Sequence, residues 1–531
     1  MNDTARRAAL LAETLRLGLD AEAVITDQAE REFCSADLYA PGVTCALVVR
    51  PSDRAGVARA VAAAATAGFA VIARGGGLTY TGGYAPVRED TVVLDLRRLD
   101  RIVEIAADDM YVTVEAGVTW KQLHAALAPH GLRLPCYGTF SGAGATVGGG
   151  LSNGALFFGT ARYGTVADAL LGLEVVLADG SVLAPGQGAL AAGHKPFYRT
   201  FGPDMAGLFV HDAGVFGVKT AATFRLIRAP ACNGYASFAF ADAAAAIAAL
   251  SAVARADLAE EAYAFDPETT RRHLADVDIG AALRALAAVA RGQGGVLKGL
   301  RESARVALAG RGSLPLDAYS IHIVCAGRSD AAVAADLEAC REVARQHGGV
   351  ELPDSIPKVV RSQPFPPLDD VVGAEGERWA ALNAKIAHSD APAFVPAAEA
   401  LLASYAAGMG CHGVRVSRLM IAVSNHAFSY EPVLHWRDAW LPGHRRAMTA
   451  GKLGRLHEPA ADPAARALVH EIRGRLVDLF VAHGAASNQI GKTYPYLSVL
   501  RPEARALLEG LKRQLDAGGA LNPGALELSV G

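Results

Sequence analysis

The pattern of apolar and polar positions in residues 1–230 predicts short strands mixed with helices. Runs of β-branched and other apolar residues predict strands at 44–50, 71–73, 91–96, 111–116 and 171–177. Longer alanine-containing runs predict helices at 55–67 and 120–130, and Asp179-Gly180 predicts a hairpin turn. Because strands and helices do not alternate regularly, the pattern favours an α+β fold over a doubly wound sheet.

A second region follows Arg228-Ala229-Pro230. Strands predicted at 235–240 and 319–324 are each followed by a predicted helix, at 242–258 and 331–346. This spacing predicts an antiparallel sheet covered by helices. Near the end of the sequence, helices predicted at 463–483 and 502–515 flank a loop at 484–496. We therefore divide the chain into residues 1–230, 231–460 and 461–531.

Two glycine-rich loops in the first part carry the strongest functional signal. The first is Arg74–Gly83 and the second is Gly138–Gly154, and each follows an apolar or strand-like segment. Glycine lets the backbone approach a ligand closely, and successive N–H groups in such turns form a nest for an anion. Ordinary turns are the alternative, but two such loops in one domain predict a bound dinucleotide whose diphosphate both loops hold.

Composition and net charge indicate which classes of binding partner to expect. Hydrophobic residues make up 51% of the chain, charged residues 20%, and the formal net charge is −3. These values are typical of a globular protein. The sequence contains no basic tract and no platform of aromatic residues with arginine, so we expect no nucleic-acid partner.

The cysteine pattern and the lengths of the apolar runs predict the cellular location. The seven cysteines form no CxxC pair, which predicts neither a disulfide framework nor a zinc knuckle and suits a reducing compartment. The first amphipathic stretch carries Glu13, Arg16 and Asp20, unlike a signal peptide. No run of 18 apolar residues is present, so we expect a cytoplasmic protein without a membrane span.

Five stretches resemble the vanillyl-alcohol oxidase/p-cresol methylhydroxylase (PCMH-type) family of FAD-linked oxidoreductases. The resemblance lies in Arg74–Gly83, Tyr111–Trp120, Gly144–Asn153, Gly207–Thr220 and Leu521–Gly524. It implies an FAD-binding domain of two α+β subdomains, a cap domain over the isoalloxazine ring, and a C-terminal segment that returns to the FAD-binding domain and the active site. Residues 231–460 correspond to the cap by position.

The resemblance implies FAD as the cofactor and assigns residues to it. The implied contacts are Arg74, Gly75, Gly76, Gly77, Leu78, Thr79, Tyr80, Gly138, Ser141, Gly142, Thr146, Gly149, Asn153, Gly154, Gly214, Gly217, Val218 and Asn522.

Departures from the family pattern limit which functional residues the resemblance can assign. The histidine and cysteine that hold the flavin covalently in berberine-bridge-type relatives fall at Leu78 and Gly144, which are not nucleophiles. His426 resembles the cap-domain histidine that attaches the flavin in vanillyl-alcohol-type members, with simple packing as the alternative.

Neither subgroup's substrate chemistry transfers cleanly. Tyr80 lies near a tyrosine position of the phenol-oxidising members, but their Tyr-Arg pair falls near Ser487-Asn488 and their aspartate near Ser141. The metal-ligating His-Gly-Ile-Gly loop of the hydroxy-acid members reads Asn488-Gln489-Ile490-Gly491 here. We expect no catalytic metal.

Candidate catalytic residues come from the cap and the loop at 484–496. Lys492 is a candidate for stabilising negative charge on the reduced flavin, and Tyr496, His435 or Tyr430 for accepting a substrate proton. Tyr494 is a weaker candidate than Tyr496, and Arg378 lies upstream in the cap. In the strand around Tyr430, alternation places Tyr430, Pro432 and Leu434 on one face and Glu431, Val433 and His435 on the other.

The expected function is transfer of hydride from an alcohol-bearing or benzylic carbon of an aromatic or hydrophobic substrate to flavin N5. The alternatives are a 2-hydroxy-acid dehydrogenase of the same fold and a non-catalytic nucleotide-binding scaffold. Oxygen or a redox carrier is the expected electron acceptor, and we expect a homodimer.

Overall fold

The computed structural model describes residues 3–275 and 316–529. The segment at 282–312, predicted as helix and loop without chemistry, lies outside the described residues. The described helices are α1 (Asp3–Gly18), α2 (Gln28–Ser35), α3 (Arg54–Thr66), α4 (Trp120–Leu127), α5 (Val147–Asn153), α6 (Thr160–Tyr163), α7 (Ala243–Arg255), α8 (Pro267–Ala275), α9 (Asp330–Gln346), α10 (Ser355–Ser362), α11 (Ala391–Ser404), α12 (Ala406–His412), α13 (Pro442–Ala447), α14 (Ala450–Leu453), α15 (Pro463–Ala482) and α16 (Pro502–Leu515).

Nineteen strands lie in the described ranges. They are β1 (Val24–Ile25), β2 (Leu47–Val49), β3 (Ala70–Arg74), β4 (Thr91–Asp95), β5 (Ile102–Ala106), β6 (Tyr111–Glu115), β7 (Leu132–Arg133), β8 (Leu170–Val176), β9 (Val182–Leu183), β10 (Val218–Arg225), β11 (Ile227–Arg228), β12 (Cys232–Phe240), β13 (Glu261–Phe265), β14 (Tyr319–Gly327), β15 (Val350–Leu352), β16 (Arg378–Ala381), β17 (Ala384–Ala387), β18 (Arg415–Val423) and β19 (Ala427–Trp436).

The first sheet has the order β1-β2-β4-β3, in which β2, β4 and β3 run parallel. A parallel pair needs a crossover, and α3 provides it between β2 and β3. The side chain of Asp53 caps α3 by accepting a hydrogen bond from Gly56 N at 2.6 Å. Leu521, near the other end of the chain, forms a parallel bridge to Val71.

The second sheet is antiparallel, with the order β5-β6-β10-β8-β9. Asp179-Gly180 turns β8 into β9 as predicted, and Gly180 has the left-handed φ of 84° that favours glycine there. A two-stranded ladder of β7 and β11 accompanies this sheet. Together the sheets confirm the mixed α+β architecture.

The cap sheet, β12–β19, is antiparallel and has the order β15-β12-β14-β13-β18-β19-β16, with β17 also paired to β19. One face packs against α7, α11 and α15, where Phe238, Leu250, Phe394, Ile472 and Phe480 are buried in one apolar cluster. On the other face Tyr263 and Phe265 belong to the core of the second sheet. Both faces of the cap sheet are therefore covered.

The predicted helix at 463–483 corresponds to α15, and it packs on the cap rather than on the first two sheets. The chain after it returns to those sheets, since Leu497, Ala525 and Leu528 join the core of the second sheet. In the described ranges no single helix has the length and apolarity needed to cross a membrane. A pair bent by 52°, α11 with α12, satisfies that criterion by length and composition alone.

Candidate cofactor cleft and active site

Both glycine-rich loops line one cleft of about 930 Å³, part of which is open solvent. The first loop leaves β3, and the second leads into α5. A Cβ atom added to Gly75 would lie 2.1 Å from Thr146 Oγ1, and one added to Gly76 would lie 2.1 Å from the Gly144 carbonyl oxygen. The loops thus lie so close together that no side chain would fit at Gly75 or Gly76.

The first loop has the features of an anion nest. Within the described ranges, the main-chain N–H groups of residues 76–79 donate to no protein oxygen. The carbonyl oxygen of Gly77 accepts from Tyr84 Oη at 2.6 Å, which fixes the loop. Four successive N–H groups without partners, all in residues that line the cleft, suit a diphosphate.

The second loop differs, because it uses many of its N–H groups internally. Gly144 and Ala145 donate to Ser141 O, and Gly148 donates to Ala116 O. Thr146 caps α5 by accepting from Gly149 N. Within the described ranges, the N–H groups of residues 139–141 also donate to no protein oxygen, so the second loop offers a shorter run of free donors than the first. That both loops hold the diphosphate stays a prediction.

The chemistry of the cleft fits FAD. Arg74 is 2% exposed, and its Nε has no hydrogen-bond partner in the part of the chain that the structure describes. Hydroxyls of Thr79, Ser141 and Ser152 and the amide of Asn153 add further donors. A Cβ on Gly149 would meet only Thr146 Oγ1, at 3.3 Å, so this glycine leaves space on the cleft wall. Guanidinium, hydroxyl and free N–H groups match the phosphates and sugars of a dinucleotide.

Twelve of the residues assigned to the cofactor line this cleft. They are Arg74, Gly75, Gly76, Gly77, Leu78, Thr79, Ser141, Thr146, Gly149, Asn153, Gly214 and Gly217. The sequence assignment did not include Tyr84, Lys219 or Gln489, which line it too. Lys219 is buried and pairs with Asp212, with 2.5 Å between Nζ and Oδ1.

Four assigned residues support the cleft from behind. Gly138 and Gly142 admit the rings of Trp120 and Phe365, since an added Cβ would lie 2.2 and 2.5 Å from ring carbons. Gly154 similarly faces the ring of His211. Val218 is buried in the core of the first sheet.

Asn522 acts as a clamp rather than as part of the cleft lining. Its Nδ2 donates to Gly83 O and to Ala213 O, both at 2.6 Å. Gly83 and Ala213 themselves line the cleft. The clamp therefore holds two walls of the cleft together.

Lys492 belongs to the same clamp. Its Nζ donates to Ala85 O and Asn522 Oδ1 at 2.8 Å, and to Gly82 O at 3.3 Å. Burial lowers the pKa of Lys492 to about 8. All three donors are engaged, so the proposed role of Lys492 in stabilising reduced flavin is corrected to a structural one.

His426, the candidate for covalent attachment, lies exposed in the turn between β18 and β19 and does not line the cleft. Ser424 N of the same turn donates to Thr160 O. The structure thus places His426 at the end of the cap hairpin, where it is not a cofactor contact.

Arg378 and Tyr430 are also corrected. Arg378 is buried over the Trp436 ring, and its guanidinium donates to Asp438 Oδ2 at 3.0 Å and to Tyr39 O at 2.6 Å. Tyr430 lies on the helix-covered face of the cap sheet, where its hydroxyl donates to Glu399 at 2.7 Å. Alternation along β19 was predicted correctly, but Tyr430 is on the face turned away from the cleft.

The two remaining candidate bases are less suited than predicted. His435 is buried with Nε2 2.7 Å from Ser417 Oγ, and burial lowers its pKa to about 2. Such a ring is a weak proton acceptor at neutral pH. Tyr496 packs beside the core of the second sheet, and its main-chain N–H donates to Glu527.

Tyr494, rather than Tyr496, is joined to the cap sheet. The main-chain N–H of Asn383 donates to Tyr494 Oη at 2.7 Å. Asn383 Nδ2 donates to Ser429 Oγ and, at 3.4 Å, to Glu431 Oε2. Ser487 Oγ donates to Asn383 O, so the C-terminal loop lies along the edge of β17. We call Asn383, Ser429, Glu431 and Tyr494 the polar cluster.

Glu431 is half-buried on β19. Burial raises the pKa of Glu431 to about 7, and the bond from Asn383 opposes this shift. Burial also raises the pKa of Tyr494, to about 12. At neutral pH the cluster thus holds a carboxyl group poised to exchange a proton and a phenol that stays protonated.

Two contacts connect the cap sheet to the first loop. Tyr80, which follows the cleft-lining Thr79, packs against Trp379 of β16 with ring centroids 4.8 Å apart and ring planes tilted by 46°. Burial raises the pKa of Tyr80, and the charge of Glu431 adds to the shift. Arg473 donates to both Tyr80 O and Ala381 O, which fixes the first loop against the cap.

Sequence reasoning missed Asn383 and did not select Glu431 from its strand. Period-two alternation was the available signal for Glu431, because it separates this residue from Tyr430. Asn383 lies between two short strands and left no periodic signal. In the described ranges, no group of three or more His, Cys, Asp or Glu side chains is arranged to hold a metal ion.

Comparison with known proteins supports the cofactor. The family described as FAD binding domain matches residues 45–184. A D-lactate dehydrogenase of Archaeoglobus fulgidus is 35% identical over 34% of this chain and 38% of its own. The mitochondrial D-lactate dehydrogenase [cytochrome] 1 of Saccharomyces cerevisiae is 31% identical over 29% of this chain and 25% of its own. The alignments thus span about a third of these relatives' length.

Solved structures extend the similarity in fold to the whole chain. p-Cresol methylhydroxylase superposes with a TM-score of 0.73 at 18% identity, covering 99% of this chain and 97% of that one. 4-Ethylphenol oxidase from Gulosibacter chungangensis gives 0.71 at 19% identity, covering 98% and 97%. The predicted resemblance is confirmed: the chain contains an FAD-binding domain within a PCMH-type fold.

Proposed function

We propose that this chain, an FAD-binding domain joined to a cap in a PCMH-type fold, is an FAD-dependent oxidoreductase. In this proposal it oxidises an alcohol-bearing or benzylic carbon of an aromatic or hydrophobic substrate. The observation that carries it is Glu431, a carboxyl group with a pKa of about 7 on the face of the cap sheet opposite the helix-covered face. A proton acceptor works best when its pKa lies near the working pH.

When bound, FAD supplies the hydride acceptor. Oxidation of an alcohol also releases the hydroxyl proton, and in our proposal Glu431 accepts it. The amide of Asn383 holds the carboxylate through its 3.4 Å hydrogen bond, and the protonated Tyr494 hydroxyl is a donor for the substrate oxygen.

The aromatic pair supports a substrate with a flat apolar group. The rings of Tyr80 and Trp379 lie 4.8 Å apart, with planes tilted by 46°, where the first loop meets the cap sheet. Their faces offer apolar surface and little charge, which suits an aromatic ring. Trp379 Nε1 is engaged by the carbonyl oxygen of Asp370 at 2.7 Å, so it is held in place.

A 2-hydroxy-acid substrate is the second candidate, because both relatives named above are D-lactate dehydrogenases. The sequence similarity covers only part of each of these relatives. In addition, the Asn488–Gly491 loop lacks the histidines expected for that subgroup. The cationic side chain of Lys385 is the structural feature that favours an acidic substrate.

The test is an anaerobic screen of the purified, FAD-loaded protein against aryl alcohols, alkylphenols and 2-hydroxy acids, with flavin absorbance near 450 nm as the readout, roughly where oxidised flavin absorbs. Bleaching by aryl alcohols or alkylphenols supports the proposal. Bleaching by D-lactate alone supports the second candidate. A protein that binds FAD and is bleached by neither class is a nucleotide-binding scaffold.

A further inference from the structure

Lys385 stands apart from the other buried lysines. Lys219 and Lys512 pair with Asp212 and Asp516, and Lys492 donates to three oxygens. In the described parts of the chain, Lys385 Nζ forms no ion pair and donates no hydrogen bond. Burial lowers the pKa of Lys385 to about 8, and Asp168 is the charge that opposes the shift. The side chain is half-buried, and a partly desolvated ammonium without a partner favours an anionic ligand.

The register of the cap sheet directs Lys385 toward the FAD-binding domain. On β17, Lys385 lies opposite Ser429 of β19, which lies opposite Ile421 of β18 and, beyond it, Tyr263 of β13. Directly opposed residues share a face, and Tyr263 belongs to the core of the second sheet. Lys385 is therefore on the same face as Ser429 and Glu431 of the polar cluster.

Lys385 forms an antiparallel β-bridge with Ala486 of the C-terminal loop, two residues before Asn488. Burial lowers the pKa of His211 to about 4, and the charge of Lys385 adds to that effect. The His211 ring packs against Gly154, the residue after the cleft-lining Asn153. The Gly154 carbonyl accepts from Asn488 Nδ2 at 2.8 Å, beside the cleft-lining Gln489. The cation thus lies where the cleft, the cap and the C-terminal loop meet.

Asp168, the acid whose charge acts on Lys385, forms no ion pair with it among the described residues. Asp168 Oδ2 instead accepts hydrogen bonds from Thr165 N at 2.7 Å and Thr165 Oγ1 at 2.9 Å. The ammonium is therefore left without a direct partner in the described parts of the chain.

We propose that Lys385 binds the carboxylate of the substrate, so that the enzyme acts on acidic alcohols or acidic benzylic compounds. This inference rests on the proposed function. It applies to both candidate substrate classes, since a member of either class can carry a carboxylate. The anionic edge of reduced FAD is the competing source of negative charge, and the experiment separates the two.

The experiment titrates FAD-loaded protein with benzoate and with benzamide, two non-oxidisable probes of the same shape, and follows the visible spectrum of the flavin. Wild type is expected to bind benzoate about tenfold or more tightly than benzamide, the effect of a charge-assisted hydrogen bond. Lys385→Met is expected to lose that preference and Lys385→Arg to keep most of it. The control Lys195→Met removes a lysine that is 65% exposed and pairs with Asp109.

Equal binding of the two probes by wild type, or an unchanged benzoate preference in Lys385→Met, overturns the proposal. The flavin midpoint potential is measured on the same variants. A lowered potential in Lys385→Met with unchanged benzoate binding assigns the cation to the cofactor instead. Because the probes are not oxidised, their binding is judged separately from turnover: benzoate selectivity without oxidation of any alcohol rejects the proposed function and leaves the anion site standing.

Discussion

The main-chain N–H of Asn383 donates a 2.7 Å hydrogen bond to the phenolic oxygen of Tyr494, 111 residues further along the chain. This bond joins the edge of the cap sheet to the C-terminal loop. It also brings Tyr494 to Ser429 and Glu431, which Asn383 contacts through its side chain. The site is therefore built at a junction between two distant segments.

Tyr494→Phe removes the acceptor of that bond and leaves the buried N–H of Asn383 unpaired. We expect the free energy of unfolding to fall by about 1–3 kcal/mol and turnover to fall about tenfold or more. Chemical denaturation and steady-state kinetics measure the two effects. Tyr496→Phe is the matched control, since the Tyr496 hydroxyl has no hydrogen bond among the described residues. Equal losses in both variants would contradict the assignment.

Glu431→Gln keeps the size of the side chain but cannot accept a proton. We expect kcat to fall by about 10²–10⁴, the usual contribution of a general base. In the wild-type enzyme, kcat/KM should rise as pH passes through about 7, because Glu431 must be ionised to act. A pH profile measured from 5 to about 9 tests this. A profile of the same shape in the variant would show that another group titrates.

The same substitution has an opposite effect on stability. The pKa of Glu431 is raised above its ordinary value of 4.5, so its ionisation disfavours the folded state. The penalty is absent below pH about 4.5, grows up to pH about 7 and is full above it, where it reaches about 3 kcal/mol. Glu431→Gln should therefore raise Tm at pH 8 relative to wild type, and should leave Tm at pH 4.5 nearly unchanged. A lowered Tm of the variant at pH 8 would contradict the inference that the ionised Glu431 carboxylate destabilises the folded state.

Gly149→Ala places a methyl group on the wall of the cleft, where Thr146 Oγ1, at 3.3 Å, is the one neighbour within 4 Å among the described residues outside the backbone of α5. We expect the protein to fold but to lose FAD, seen as a lower ratio of absorbance at 450 to that at 280 nm, roughly the flavin and protein bands. Gly474→Ala is the control: it lies in α15 with nothing within 4 Å of an added Cβ. It should keep FAD and gain up to about 1 kcal/mol in helix stability.

Lys492→Met tests the structural role of this residue. We expect loss of three hydrogen bonds to lower the free energy of unfolding by about 1–3 kcal/mol, since carbonyl oxygens of the first loop lose their donor. The midpoint potential of the flavin that remains bound should not change. A shift in potential with unchanged stability would restore Lys492 as a cofactor contact. Lys121→Met, at an exposed position, is the control.

The sequence predicted most elements well, because their patterns are local. The predicted helix at 502–515 and the strand at 319–324 match α16 and the start of β14, and the Asp179-Gly180 turn is where expected. Glycine spacing located the cleft, since close backbone approach at Gly75 and Gly76 leaves no choice of residue.

The catalytic side was harder to predict for a physical reason. Both faces of the cap sheet are buried, so alternation along β19 separates Tyr430 from Glu431 without showing which of them meets the cleft. The choice between Tyr494 and Tyr496 depends on the path of a loop that has no periodicity. The acceptors of Lys492 are not local in sequence, because Gly82 and Ala85 lie 410 and 407 residues before it and Asn522 lies 30 residues after it.

Asn522 bonds to Gly83 across 439 residues, and this has a consequence for assembly. Closing so large a loop is slow and entropically expensive, so the cofactor site should mature after the separate cores have condensed. Bound FAD contacts both walls, so its binding should stabilise the association of these distant segments of the chain. Proteolysis of the tail around Leu521 should then be suppressed by added FAD, even though that segment itself is outside the cleft lining.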